Sequence, residues 1–273
     1  MNQQEQTRIE AYAMEIRKLT IEMIGELGIG HIGGAMSIVE VLAALYDKHL
    51  RADPANPRSP DRDRLVLSKG HAGPALYSAL AAKGFFPREW LSTLNKGGSN
   101  LPSHCDRNKT PGIDMTTGSL GQGLSAACGI AVSLRIDANP ATVFAIIGDG
   151  ESDEGQNWEA AMFAAHRKLS NLIAFTDHNK AQIDGSTDEI VSLGNLAAKW
   201  AAFGWNSVEV NGHDIPALDA AITQAKASKD KPTMIVMHTI KGKGCDFCEG
   251  QVSSHNMPVT KEMAAKAIAA LGA

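Results

Sequence analysis

Short apolar runs alternating with helix-length amphipathic stretches constrain this chain more than any other feature. Ala141–Ile147 (ATVFAII) and Leu172–Thr176 offer almost no polar side chain, and Arg64–Ser68, Ser207–Val210 and Thr233–His238 are further short candidate strands. A strand that alternates polar and apolar residues can leave one face in water, whereas an apolar run of five to seven residues must be covered on both. Between these runs the spacing predicts helices over Ala72–Lys83, Ser119–Ile136, Gln156–Leu169, Asn195–Phe203 and Ile215–Ala227, with Lys261–Leu271 closing the chain. Before them, Ile9, Tyr12, Ile16, Leu19, Met23 and Leu27 recur at helical spacing up to Gly28. Ser37 and Glu40 read as a capping box opening a helix over 38–49. Strands separated by helices predict an α/β fold, a parallel sheet with helices on both faces.

Such a sheet needs a sizeable core, and 273 residues with 44% hydrophobic content supply one. No repeat, low-complexity tract or linker divides the chain, so residues 1–273 are expected to form one domain. The net charge of −4 provides no basic stripe for a nucleic-acid backbone. The N-terminus MNQQEQTRIE is polar, and no run approaches the roughly 18 apolar residues of a membrane span, so a cytoplasmic protein is expected. Cys105, Cys128, Cys245 and Cys248 are too few for a disulfide framework, and the lone CxxC at 245–248 has no second pair at zinc spacing. Reduced thiols in an ordinary loop are the expectation.

The chemistry concentrates after two neighbouring strands. Gly148-Asp149-Gly150 follows ATVFAII, and Asn179 follows NLIAFTD about thirty residues on, so both emerge at strand carboxyl ends, where open α/β sheets bind ligands. A carboxylate oxygen from Asp149, an amide oxygen from Asn179 and a nearby backbone carbonyl make a donor set for magnesium or calcium bound to phosphate oxygens. Gly148 and Gly150 let a phosphate approach the backbone. A lone GDG is more often a tight turn; the Asn-bearing loop at the right distance makes the pair informative.

GDG, the following helix and the Asn loop resemble the thiamine diphosphate signature. Four further stretches narrow the resemblance: GIGHIGGAMS, LSKGHAGPALYSAL, TTGSLGQG, and GDGESDEG with DHNKAQIDG. In this order and spacing they are similar to the amino-terminal, diphosphate-binding domain of transketolases over nearly the whole chain. The resemblance implies the thiamine-diphosphate-binding fold, with Asp149, Asn179 and the carbonyl of Ala181 as metal ligands. It places His31, His71 and His104 on the family's active-site histidines, with His71 also a cofactor contact, and Gly118, Leu120 and Gly121 beside the thiazolium ring. It aligns Glu154 with a glutamate that links two sites across a dimer interface, and makes His255 a candidate contact to the diphosphate. His166, His178, His213 and His238 match no such position and are expected to be structural. Departures are the small Ala181 in the metal tripeptide, SSHNMPV where the family tends to have His-Gly, and the unusual CDFCEG before it.

Complete transketolases continue into a second α/β domain that supplies the activating glutamate and the aminopyrimidine pocket, and then a third. A chain ending at Ala273 therefore resembles the amino-terminal subunit of a split transketolase. The expected activity is transfer of a two-carbon ketol unit from a ketose phosphate to an aldose phosphate. It requires a separate carboxyl-terminal, pyrimidine-binding subunit, in an α2β2 assembly. Competing expectations are a deoxyxylulose-phosphate synthase-like or 2-oxoacid dehydrogenase-like subunit, and a non-catalytic assembly module. Three histidines favour a polyhydroxylated sugar over a simple 2-oxoacid.

Overall fold

A computed structural model describes residues 1–183 and 185–272. Five parallel strands form the central sheet: β1 (Arg64–Leu67), β2 (Val143–Gly148), β3 (Leu172–His178), β4 (Asn206–Asn211) and β5 (Thr233–His238). Their spatial order is β1-β2-β3-β5-β4, so the apolar runs β2, β3 and β5 are interior and β4 lies at an edge. Burial follows the composition. β2 is buried throughout, whereas β4 alternates between half-buried and exposed.

The two faces carry separate layers. Phe144, Ile146, Ile173 and Phe175 point to one core, packed by helices Gln3–Leu27, Val39–Ala44, Gly73–Ala82 and Ile215–Lys226. Val143, Ala145, Leu172 and Ala174 point to the other, which receives helices Gln122–Ile136, Gly155–His166 and Leu196–Ala202. Successive residues serving opposite cores is the period-two geometry of a strand, and fully burying each of the large side chains contributes about 1.5–3 kcal/mol.

The expected helices and strands form, most with ends shifted by one to three residues. The first helix runs from Gln3, capped by Asn2 and Glu5, to Leu27, with Gly28 left-handed at its end. Two expectations fail. The helix expected from Ser119 begins at Gln122, because Gly121 adopts a left-handed φ of 88° and keeps 119–121 outside it. The expected capping box at Ser37 does not form, and residues 32–49 instead divide into Ile32–Met36, Val39–Ala44 and a wider turn over Leu45–His49. Both residues have stronger partners: the Ser37 hydroxyl donates to Asp177 at 2.6 Å, and Glu40 pairs with Arg17 and, at 3.0 Å, with His213.

One element had no sequence signature. Ile29–Gly30 pairs antiparallel with Met257–Pro258, joining the loop after the first helix to the last loop of the chain. No described helix is long and apolar enough to cross a membrane.

Candidate active site

The carboxyl ends of β1, β2, β3 and β5 open onto a cleft of about 360 Å³, lined on one side by Gly148, Asp149, Gly150, Asn179 and Ala181 and on the other by His71, Lys241 and His255. Register brings the acidic groups together: Gly148 on β2 stands opposite Asp177 on β3, and the Asp149 N–H donates to the Asp177 carbonyl at 3.1 Å. One residue past β3, Asn179 donates its amide to Asp177 Oδ2 at 2.9 Å. That leaves its oxygen with a single contact, from the Ala181 N–H at 3.1 Å. The turn is held by Lys180 in the left-handed region, φ 63°, where a non-glycine residue carries strain.

Asp177 anchors this arrangement. It is completely buried, and accepts from Ser37, Thr239 and Asn179 while ion-pairing with Lys69. Burial alone would raise its carboxyl; the Lys69 ammonium and the hydroxyl donors outweigh this and hold it below the usual carboxylate range. Asp149 has the opposite balance. Burial and the neighbouring Asp177 push it up to about 7, although the N–H groups of Gly150 and Lys180 oppose the shift. A buried carboxyl that titrates this high lacks positive charge, and a divalent cation between Asp149 and the Asn179 oxygen would supply it. Among the described residues no three His, Cys, Asp or Glu groups converge on a metal position. A donor set of one carboxylate, one amide and one carbonyl is suited to magnesium or calcium rather than zinc.

The opposite wall fits an anion. The Lys241 ammonium is buried without a hydrogen-bond partner among the described residues, and burial and Lys69 depress it to about 8. Above it stand four histidines. His31 lies 5.4 Å from His71, 5.6 Å from His104 and 5.3 Å from His255, and His71 and His255 are 5.0 Å apart, all between ring centroids. The two-residue ladder explains the meeting of His31, which directly follows one strand, and His255, two residues before the other. Two close approaches tighten it: a Cβ on Gly33 would lie 2.3 Å from Ser254 Oγ, and one on Gly70 would lie 2.7 Å from Thr117 Oγ1. Burial lowers all four imidazoles, His71 well below the usual range and His255 to about 4, with Lys69 adding to the effect at His71 and Lys241 at His31 and, with Lys69, at His255. At neutral pH each presents one donor and one acceptor nitrogen.

The remaining expected positions divide. Leu120 and Glu154 line the cleft. Gly118 sits against His104, where a Cβ would approach its ring to 3.4 Å, and Gly121 packs on the Glu154 side chain. His31 and His104 reach the cleft through the histidine cluster and do not line its floor. His213 bonds Glu40 and the Ile240 N–H, His238 pairs with Glu209 and stacks at 5.3 Å on His178, and His166 lies by the end of its helix. Cys245 and Cys248 are free, buried thiols in one turn.

Four residues essential to this geometry were missed by sequence reasoning: Lys69, Asp177, Glu151 and Lys241. Buried Glu151 accepts from the Ser68 hydroxyl and from the N–H groups of Gly121 and Gly148, tying the ends of β1 and β2 to the GQG turn. A signal existed for Asp177, since an aspartate inside the apolar run LIAFTDH requires a buried cation, and KGH after β1 offers one.

Comparison with known proteins decides the family. Residues 9–273 match the family described as transketolase, thiamine diphosphate binding domain. The chain belongs to the transketolase family. The amino-terminal transketolase chain and the transferase class expected from its motifs therefore hold. It is 59% identical over 268 residues to the 6-deoxy-6-sulfo-D-fructose transketolase subunit SqwG of Clostridium sp. (strain MSTE9), covering 98% of each chain. Identity to an apulose-4-phosphate transketolase subunit from Phocaeicola vulgatus is 39% over 260 residues, 95% of this chain and 92% of that one. Among solved structures, transketolase from Leishmania mexicana superposes with a TM-score of 0.91 at 33% identity, over 97% of this chain and 41% of that one. The chain thus spans about two fifths of the solved transketolases it matches.

Proposed function

We propose that this transketolase chain is the diphosphate and metal half of a two-chain enzyme that moves a two-carbon ketol unit from a ketose to an aldose phosphate. The observation that carries the reading is the meeting, in one cleft, of a charge-deficient Asp149, an unpartnered Lys241 ammonium and a cluster of neutral histidines. Asp149, the Asn179 oxygen and the Ala181 carbonyl would hold magnesium or calcium, with Gly148 and Gly150 giving phosphate access to the backbone. Lys241, Lys69 and His255 would face the diphosphate. Bound thiamine diphosphate would supply the carbanion chemistry. His31, His71 and His104 would bind the sugar hydroxyls and carry protons, a task for which neutral imidazoles are suited. Leu120, Gly118 and Gly121 would stand beside the thiazolium, and Glu154 near a subunit interface.

The relatives of similar length are described as subunits. This supports a separate partner chain; we take it to be the carboxyl-terminal, pyrimidine-binding subunit, in an α2β2 assembly in the cytoplasm. The 59% identity to a 6-deoxy-6-sulfo-D-fructose transketolase subunit favours a sulfonated ketose as donor. Ketol transfer should be absent from this chain alone and appear on mixing with a partner of about three hundred residues, a size typical of two α/β domains. Native mass spectrometry of the mixture together with an assay of each chain alone tests this. Transfer by the isolated chain would overturn it.

A further inference from the structure

A second polar cleft, of about 400 Å³, lies at the other end of β1, remote from the strand carboxyl ends. Two segments distant in sequence build it, 57–64 and 107–114, and they bring Arg58, Arg62, Arg64, Arg107 and Lys109 around one hollow. This concentration of cations is notable in a chain whose net charge is −4. Only Arg62 has a carboxylate partner among the described residues, Asp114, which also accepts from the Leu65 N–H at 2.7 Å and is thereby fixed to β1. Arg64 is hydrogen-bonded by backbone carbonyls alone, those of Arg62, Asp63 and Pro60, and has no direct ion pair among the described residues, although Asp114, Asp63 and Asp61 lie close enough to favour its charge. Arg58, Arg107 and Lys109 make no side-chain ion pair or hydrogen bond among the described residues.

Two observations point beyond a solvated charged surface. The Arg62 Nε is buried and has no hydrogen-bond partner among the described residues, an unmade bond of the kind that costs a structure about 1–3 kcal/mol. Burial and, after it, the neighbouring Arg62 depress the half-buried Arg64 guanidinium, although Asp114, Asp63 and Asp61 oppose the shift, while Arg58, Arg107 and Lys109 stand exposed. An anion carrying two negative charges and several oxygens suits the planar guanidinium forks of Arg58, Arg62, Arg64 and Arg107 that line the hollow.

We propose that this cleft is a binding site for a small dianionic oxyanion of the phosphate or sulfate type, free or as the terminal group of a sugar ester. The ligand bridges the 57–64 and 107–114 segments. The second segment is closed on itself by the Thr110 N–H to the Asp106 carbonyl at 3.0 Å and by the Arg107 N–H to Thr116 Oγ1 at 3.1 Å. It begins three residues after His104, so the anion holds one end of the loop whose other end enters the histidine cluster.

The test is calorimetric titration and thermal unfolding of the full chain with inorganic phosphate, sulfate and glycerol 3-phosphate, at an ionic strength fixed with sodium chloride. Saturating phosphate should raise Tm by about 3 °C or more over the chloride control. The double variant Arg58→Ala/Arg107→Ala, both exposed positions, should lose at least about tenfold in phosphate affinity. Tighter binding of glycerol 3-phosphate than of phosphate identifies the sugar ester as the natural form; equal binding identifies the free ion. Because the first cleft also presents cations, Lys241→Met serves as the control and should keep the phosphate response. The inference is overturned if chloride stabilises equally, if the double variant binds unchanged, or if Lys241→Met alone abolishes the response.

Discussion

The two walls of the first cleft solve the problem of burying polar groups in opposite ways. The acidic wall is fixed: Asp177 is surrounded by Lys69, Ser37, Thr239 and Asn179, all drawn from different elements, so its geometry is set before any ligand arrives. The opposite wall carries one buried ammonium, Lys241, beside neutral and loosely bonded imidazoles. Its four rings touch one another, and among the described residues only His104 has a side-chain hydrogen bond, to Ser103 at 3.1 Å. Pre-set charges suit a permanent cofactor, whereas neutral rings with free nitrogens suit a substrate that changes its protonation during the reaction.

The contrast breaks most visibly at Asp177. Replacing it with Asn leaves the Lys69 ammonium buried without a counter-charge, and removing one partner of such a pair costs about 3–5 kcal/mol. Denaturant unfolding of Asp177→Asn should show a loss of that size, and Lys69→Met in the same background should recover part of it. An unchanged midpoint for Asp177→Asn would show that Lys69 has another partner.

A second comparison separates binding from turnover. Asp149→Ala and Asn179→Ala should abolish metal-dependent binding of thiamine diphosphate, measured by calorimetry, without unfolding the chain, since each removes an oxygen that distant groups cannot replace. Single alanine variants of His31, His71 and His104 should keep cofactor affinity and lower kcat/KM of the two-chain enzyme by about ten- to ten-thousand-fold. If the histidine variants lose the cofactor instead, the division of labour between the walls is wrong.

The smallest effect is on pH. His255 is neutral in the fold down to about pH 4, whereas in the unfolded chain it protonates near 6.5. Its contribution to stability is therefore complete above pH 6.5 and declines as pH falls from there towards 4, the range in which the unfolded chain binds the extra proton. The midpoint of His255→Gln, which cannot charge, should fall less steeply over that interval than the parent's, by thermal unfolding at pH 7, 6, 5 and 4.5.

How much of this was legible depends on the range of the interactions involved. The strands and most helices were readable because burial on both faces dictates an apolar run, and Asp149 and Asn179 could be placed at one edge because successive parallel strands share an end. The Ser37–Glu40 pair misled because local capping and long-range bonding use the same residue types; Asp177 and Arg17 outcompeted the helix terminus. Meetings such as His31 with His255, or Lys69 with Asp177, span 224 and 108 residues, by the difference of their numbers, and no local pattern encodes them. The two-residue ladder that joins the first pair is too short to have a period.

The strand order also has a consequence in time. The metal-side residues of the first cleft hang from the interior strands β2 and β3, Lys241 follows interior β5, and Lys69 and His71 follow the edge strand β1, while β4 forms the other edge, outside the cleft. Local opening begins where few apolar contacts hold the backbone, so amide protons of β4 should exchange first and those of β2 and β3 last. The chain can thus fray, and can tolerate sequence drift along β4, while the platform that spaces Asp149 from Asn179 stays closed until the molecule opens as a whole.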